Sequence, residues 1–221
     1  MDMKERIQDI LKLLEKEHPD ANIALRYGNP LELLVATILS AQCTDKTVNE
    51  VTNALFEKYR TAQDYARVNI KALEREIRST GFYHNKAKNL KKTAQILMKT
   101  FNGQVPKTMD ELLTLPGVAR KTANIVLSNA YSVIEGIAVD THVRRLARRL
   151  GLTESDNPNK IEQDLMKLVP REQWPKFTDL LIFHGRRSCT AKKPLCERCV
   201  VSRICPSYSS SIEPHAPCRE M

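Results

Sequence analysis

The chain has 221 residues, 42% hydrophobic, 5% aromatic and 28% charged, enough to bury one large core or two small ones. No apolar run approaches a membrane-spanning length, and the N-terminal MDMKERIQDILKLLEKEH lacks a secretion signal's apolar stretch; the expected location is the cytoplasm, associated with the nucleoid. The net charge of +9 is concentrated in residues 78–150, where 13 Lys/Arg stand against 4 Asp/Glu; a positive field of this kind suits a polyanion, a solvated Lys-rich helix surface being the ordinary alternative.

Apolar residues recur at helical spacing along most of the chain. Ile7, Ile10, Leu11 and Leu14 predict an amphipathic helix stopped by His18-Pro19. Pro30 opens a second helix, LELLVATILSAQ, apolar on most sides and therefore expected to be buried. Thr44 or Asp45 can cap a third through Val48, Val51, Leu55 and Phe56. Shorter helices fit 62–66 and 69–78. A longer one over about 84–100 turns Ala87, Leu90, Ala94 and Leu97 inward and Lys86, Lys88, Lys91, Lys92 and Lys99 outward. Asn102-Gly103 and Pro106 mark a loop, a short helix covers Met109–Leu113, and helices follow LPGVARKTANIVLSNAY, Asp140–Leu150, 159–168 and 172–186. No paired run reads as a hairpin of strands, so the expected class is all-α. The tail from Ser207, SYSSSIEPHAPCREM, has the composition of a poorly ordered segment.

Three stretches carry chemistry. In LPGVARKTANIVL a tight turn at Gly117-Val118-Ala119 precedes a helix starting near Arg120. Backbone N–H groups at such a turn, with the helix N-terminus, can hold a phosphate; an ordinary joint between two helices is the plainer reading, which the basic Arg120-Lys121 weakens. Lys121 sits against the helix dipole, beside Arg120 and partly desolvated, an arrangement favouring the free amine that can attack a carbon and form a Schiff base. A surface lysine is the common alternative. Asp140 fits the N-cap of the helix THVRRLARRL, and a carboxylate held there can also stabilise a cationic sugar or activate an amine.

The third stretch is CTAKKPLCERCVVSRIC. Cys189, Cys196, Cys199 and Cys205 are spaced C-x6-C-x2-C-x5-C, and in a reducing compartment such a group binds metal rather than pairing as disulfides. Tetrahedral zinc or an iron–sulfur cluster is possible; the single compact, uneven ligand loop fits a [4Fe-4S] cube better than a zinc ribbon built on two C-x2-C pairs. Ligation would fix Lys192 and Lys193 on a basic finger. Cys43 and Cys218 stand apart.

Together, LSAQCTD, GFYHNKAKNL, LPGVARKTANIVL, VDTHVRRL, LIFHGRRSC and the cysteine spacing resemble, in order and from about Pro30 to Cys205, the endonuclease III family of helix–hairpin–helix DNA glycosylases. The resemblance implies a six-helix domain over 22–134 and a cluster domain from 1–21 plus 135–206, flanking a DNA-binding cleft, with 207–221 as a flexible tail. It implies a monomeric base excision repair enzyme acting on damaged double-stranded DNA, away from membranes. Lys121 matches the catalytic lysine, Asp140 the catalytic aspartate, and the four clustered cysteines the ligands of one [4Fe-4S] cluster, structural or DNA-positioning in role. Gln42 matches the residue that fills the gap left by a flipped nucleotide, and Phe82 stands where an apolar wedge enters the stack. Gly117, Ala119, Arg120, His142, Lys192 and Lys193 are the further expected DNA contacts. The implied substrates are oxidised pyrimidines and abasic sites, cleaved 3′ to the lesion by β-elimination. One departure stands out: the family's hairpin reads Gly-x-Gly, and Ala119 occupies the second position. If its backbone must adopt positive φ, Ala costs about 1 kcal/mol there.

Overall fold

Helix follows helix from the first turn onwards, and each start has a local cause. The computed structural model describes residues 2–212; Cys218 lies outside them. Among the described residues the helices are α1 (Met3–Glu17), α2 (Pro30–Leu39), α3 (Asp45–Lys58), α4 (Ala62–Arg67), α5 (Ile70–Glu76), α6 (Tyr83–Thr100), α7 (Met109–Leu113), α8 (Arg120–Tyr131), α9 (Thr141–Arg149), α10 (Pro158–Leu168), α11 (Trp174–Arg187) and α12 (Pro206–Ile212), with short 3₁₀ turns and no strand. Asp2, Asn29, Thr44, Thr61, Asn69, Thr108, Asp140 and Asn157 cap eight of these helices with side-chain oxygens, satisfying amides that lack intrahelical partners.

The chain divides into two compact units: one is Ala24–Glu135, the other joins the N-terminal segment up to Ile23 with the chain from Gly136 onward. In the first, α2 packs on α8 and α6 on α4, around Leu33, Leu34, Leu39, Leu97, Val126 and Leu127, all fully buried. In the second, α11 packs on α9 and α1, burying Ile7, Ile10, Leu14, Val143, Phe177 and Leu181. His18, buried where α1 ends, has its Nε2 3.1 Å from Nδ1 of His184 on α11, and Arg187 and Asp20 form a bidentate pair. These contacts join the two ends of the second unit.

Three expectations need correction. The second helix ends at Leu39, short of Gln42: Ser40 caps it, the Cys43 amide turns back to the Ser40 carbonyl, and Gln42 takes φ 52. Lys86 faces inward, 5% exposed, because α6 turns it beneath the end of α2, where two carbonyls receive its ammonium. Regular structure continues past Ser207 as α12, since the Ser207 hydroxyl donates to the Arg149 carbonyl and Pro206 packs against Gly151.

Candidate functional site

In the Ala24–Glu135 unit, α6 holds the hairpin. The Thr93 hydroxyl donates to the Pro116 carbonyl at 2.9 Å, and Asn89, one turn earlier on the same face, packs against Gly117. Gly117 has φ 80, a conformation that favours glycine, and a Cβ there would crowd the Asn89 side chain, 2.9 Å from its Nδ2. Ala119 is different. It is the N-cap of α8 at φ −98, ψ 171, an extended backbone open to any residue. The strain anticipated for Ala at this position is therefore absent. Its methyl offers no oxygen either, and no side chain caps α8, so the helix presents backbone N–H groups beside Arg120 and Lys121 where an anion can bind. Lys121 lies in the first turn of α8 and is exposed, not partly desolvated.

The same unit displays Gln42 and Phe82. Both are exposed, Phe82 63% so, and both have left-handed backbones, at φ 52 and φ 47. Phe82 is also the N-cap of α6. A large aromatic ring left in water on a strained backbone has no packing role to explain it.

In the other unit, Asp140 Oδ1 accepts from the amides of His142 and Val143, both at 2.8 Å, which locks the carboxylate at the start of α9. His142 is half-buried, and burial lowers its proton affinity while Asp140 opposes the shift. Its Nδ1 lies 3.2 Å from Arg145 Nη2. Arg145 also donates to the carbonyls of Gly185 and Cys189. Gly185 permits this approach, since a Cβ there would come 2.9 Å from His142 Nδ1.

One turn on, Arg149 donates to the carbonyls of Thr190 and Ala191 and to Cys189 Sγ at 3.3 Å. The loop that follows exposes Lys192 and Lys193, with the Thr190 hydroxyl donating to the Lys193 carbonyl. Arg145, Arg149, Gly185 and His184 were not singled out from the sequence, although Arg145 and Arg149 stand four apart on one helical face.

Cys189, Cys196, Cys199 and Cys205 all line one cavity of about 100 Å³, walled by Leu146, Leu150, Pro194, Leu195 and Val201. None of the four is in a disulfide. Burial above all, with the fields of Cys189, Cys205 and Cys196, pushes the Cys199 thiol up to about 11, and burial raises Cys205 too. Four sulfurs gathered in an apolar pocket ionise together only if a cationic centre neutralises them. The four cysteines share the lining of this one space, a donor set suited to an iron–sulfur cluster. His184, fully within the fold and held near pKa 4 by burial and by His18, puts its Nε2 3.3 Å from Cys199 Sγ.

Known proteins resemble this chain along most of its length. Residues 35–171 match the HhH-GPD superfamily of base excision DNA repair proteins, and residues 189–205 the iron–sulfur binding domain of endonuclease III. The endonuclease III of Synechocystis sp. is 51% identical over 208 residues, 94% of this chain and 95% of that protein. Two solved structures, a non-covalent endonuclease III–DNA complex and a trapped endonuclease III–DNA covalent intermediate, each match with a TM-score of 0.90 at 46% identity, over 96% of this chain and 99% of theirs.

Proposed function

Because this chain belongs to the endonuclease III family of base excision DNA repair proteins, we propose that Lys121 is the nucleophile with which it removes oxidised pyrimidines from duplex DNA. The activity is that of a bifunctional DNA glycosylase and AP lyase, and the chain carries a [4Fe-4S] cluster. The observation that carries the assignment is an exposed amine in the first turn of a helix whose N-terminus no side chain caps, directly after a glycine turn suited to a phosphate.

A base within the stack is out of reach, so the target nucleotide is extruded, and a badly pairing lesion costs less to flip. Backbone amides at Gly117 and Ala119, with Arg120, His142, Lys192 and Lys193, hold phosphates, a grip that reads no sequence. Gln42 and Phe82 occupy the vacated stack. Lys121 Nζ then bonds to C1′ as the glycosidic bond breaks and the departing base takes up a proton. The amine loses its proton and the sugar ring opens to an imine, which acidifies the C2′ hydrogens. Loss of one C2′ proton expels the 3′ phosphate, and water releases the lysine. Asp140 stabilises the cationic sugar and draws the proton from the attacking amine.

Cys189, Cys196, Cys199 and Cys205 are the proposed ligands of the cluster. When bound, it supplies a crosslink that fixes the loop bearing Lys192 and Lys193. The two units divide the labour, the hairpin and Lys121 in one and Asp140 and the cysteines in the other. We assign the protein a monomeric state and a cytoplasmic, nucleoid-associated location; no helix among the described residues is long and apolar enough to cross a membrane.

Borohydride trapping tests the nucleophile. Reducing the imine joins protein and DNA permanently, so Lys121→Gln should lose both trapping and strand cleavage yet still bind abasic DNA through its phosphate contacts. Covalent complex formed by Lys121→Gln at the wild-type rate would mean that another amine attacks, and the assignment would be wrong.

A further inference from the structure

Lys86 is buried in the Ala24–Glu135 unit, and no step of the proposed reaction uses it. Its ammonium donates to the Leu39 carbonyl at 2.8 Å and to the Thr80 carbonyl at 2.7 Å. Leu39 is the last residue of α2, and Thr80 ends the 3₁₀ turn that leads into α6. Carbonyls at such ends lack partners within their own helix and carry its negative pole, so a cation satisfies both needs. Burial lowers the proton affinity of Lys86, the field of Cys43 opposing it. A methionine would fill the same space without that cost, but it would leave two buried carbonyls unpaired.

What those two carbonyls have in common is their neighbours. Gln42 follows Leu39 by three residues, and Phe82 follows Thr80 by two. Both have positive φ and both are exposed. Left-handed backbone at non-glycine residues persists only where the surroundings over-determine it. Lys86 is a single group bonded to the base of both loops.

We propose that Lys86 is a positioning residue that bolts the Gln42 and Phe82 loops into one rigid two-pronged wedge, and so sets how efficiently a damaged base is extruded, without itself touching DNA. This rests on the reading that Gln42 and Phe82 enter the stack. With Lys86 replaced, the prongs still exist but no longer keep a common spacing, and the emptied stack is filled less well. Single-stranded DNA has no stack to hold open, so reaction there does not need the wedge.

The experiment compares two substrates under single-turnover conditions at a temperature well below unfolding: a duplex with one oxidised pyrimidine, and a single strand with a preformed abasic site. Lys86→Met should excise the base from the duplex about tenfold or more slowly, within the roughly hundredfold range that small misplacements cost, while cleaving the single strand within about twofold of wild type. Lys86→Arg, which keeps the donors, should recover part of the duplex rate. In a Gln42→Ala/Phe82→Ala background, Lys86→Met should cost nothing further, because no prongs remain to be aligned. Equal losses on both substrates, or a full additional loss in that background, would assign Lys86 to general stability and overturn the proposal. If Lys86→Met does not fold, Lys86→Gln, whose shorter amide reaches at most one carbonyl, carries the same comparison. Should Gln42→Ala/Phe82→Ala alone leave duplex excision intact, the wedge reading fails first, and the proposal with it; an impaired wedge mutant beside a wild-type-like Lys86→Met rejects the role of Lys86 alone.

Discussion

Asp140 serves two purposes with one carboxylate. Its Oδ1 is engaged by two amides of α9, which fixes the side chain in place for its proposed work on the sugar. The two roles separate on mutation, because asparagine caps a helix about as well as aspartate but carries no charge. Asp140→Asn should therefore slow excision by about 10²–10⁴, the usual worth of a positioned acid or base. Its unfolding free energy should change by less than about 0.5 kcal/mol, and some borohydride trapping should survive, since Lys121 is untouched. A melting temperature that fell along with the activity would show that the cap, not the charge, had been lost. At this scale a residue's type and chain position suffice when its partners are local. The cap needs only Asp140 and the next three residues, whereas the partners of Lys86 lie 47 and 6 positions away, beyond what periodicity along one helix reveals.

Among the elements, α9 has the widest reach. Its first residue follows Asp140, His142 and Arg145 meet on its next turn, and Arg149 near its end grips the loop after Cys189. The basic loop is thus held from one side by a helix. Replacing Lys192 and Lys193 by Ala should shallow the slope of log binding constant against log salt by about one to two, as expected for one or two lost phosphate contacts; titration at several salt concentrations measures this, and an unchanged slope would remove the loop from the DNA contact. Cys189→Ser, or the same change at Cys196, Cys199 or Cys205, should abolish iron content and the brown colour and lower the melting temperature. Cys43→Ser, remote in sequence and lining no part of that cavity, should retain full iron. Iron at wild-type level in a ligand-position mutant would dismiss that cysteine from the set. The end of α2 at Leu39 is set by the turn at Ser40 and Cys43, which the apolar pattern does not reveal, and the continuation of the chain into α12 goes with a bond from Ser207 to the distant Arg149 carbonyl.

For the whole molecule, the ledger of charge bears on stability as well as on binding. Asp179 on α11 is pushed up to about 6 by burial, with Lys176 opposing. A raised carboxylate holds a proton in the folded state that the unfolded chain has already released at the ordinary value of 3.8. Its contribution is therefore fully present below that value and is lost as pH rises towards 6. Asp179→Asn, uncharged at every pH, should gain on the order of 2 kcal/mol over wild type at pH 7–8 and little or nothing at pH 4. Denaturant melts at the two pH values decide the matter, and an equal gain at both would point to packing instead of ionisation.

The all-helical class, most helix starts, the cluster of four cysteines and the basic hairpin were legible in the sequence because each depends on residues close together: caps on the next turn, ligands within one loop, a turn on its own glycine. Ala119 shows the limit from one side, since its extended backbone is that of a helix N-cap, which the Gly-x-Gly pattern by itself does not supply. Lys86 shows it from the other, as one of several lysines on α6 that look alike until packing buries one of them. Tertiary structure decided which cation went inside and how Arg149 holds the loop after Cys189, because those outcomes turn on carbonyls and cations brought together from far apart in the chain.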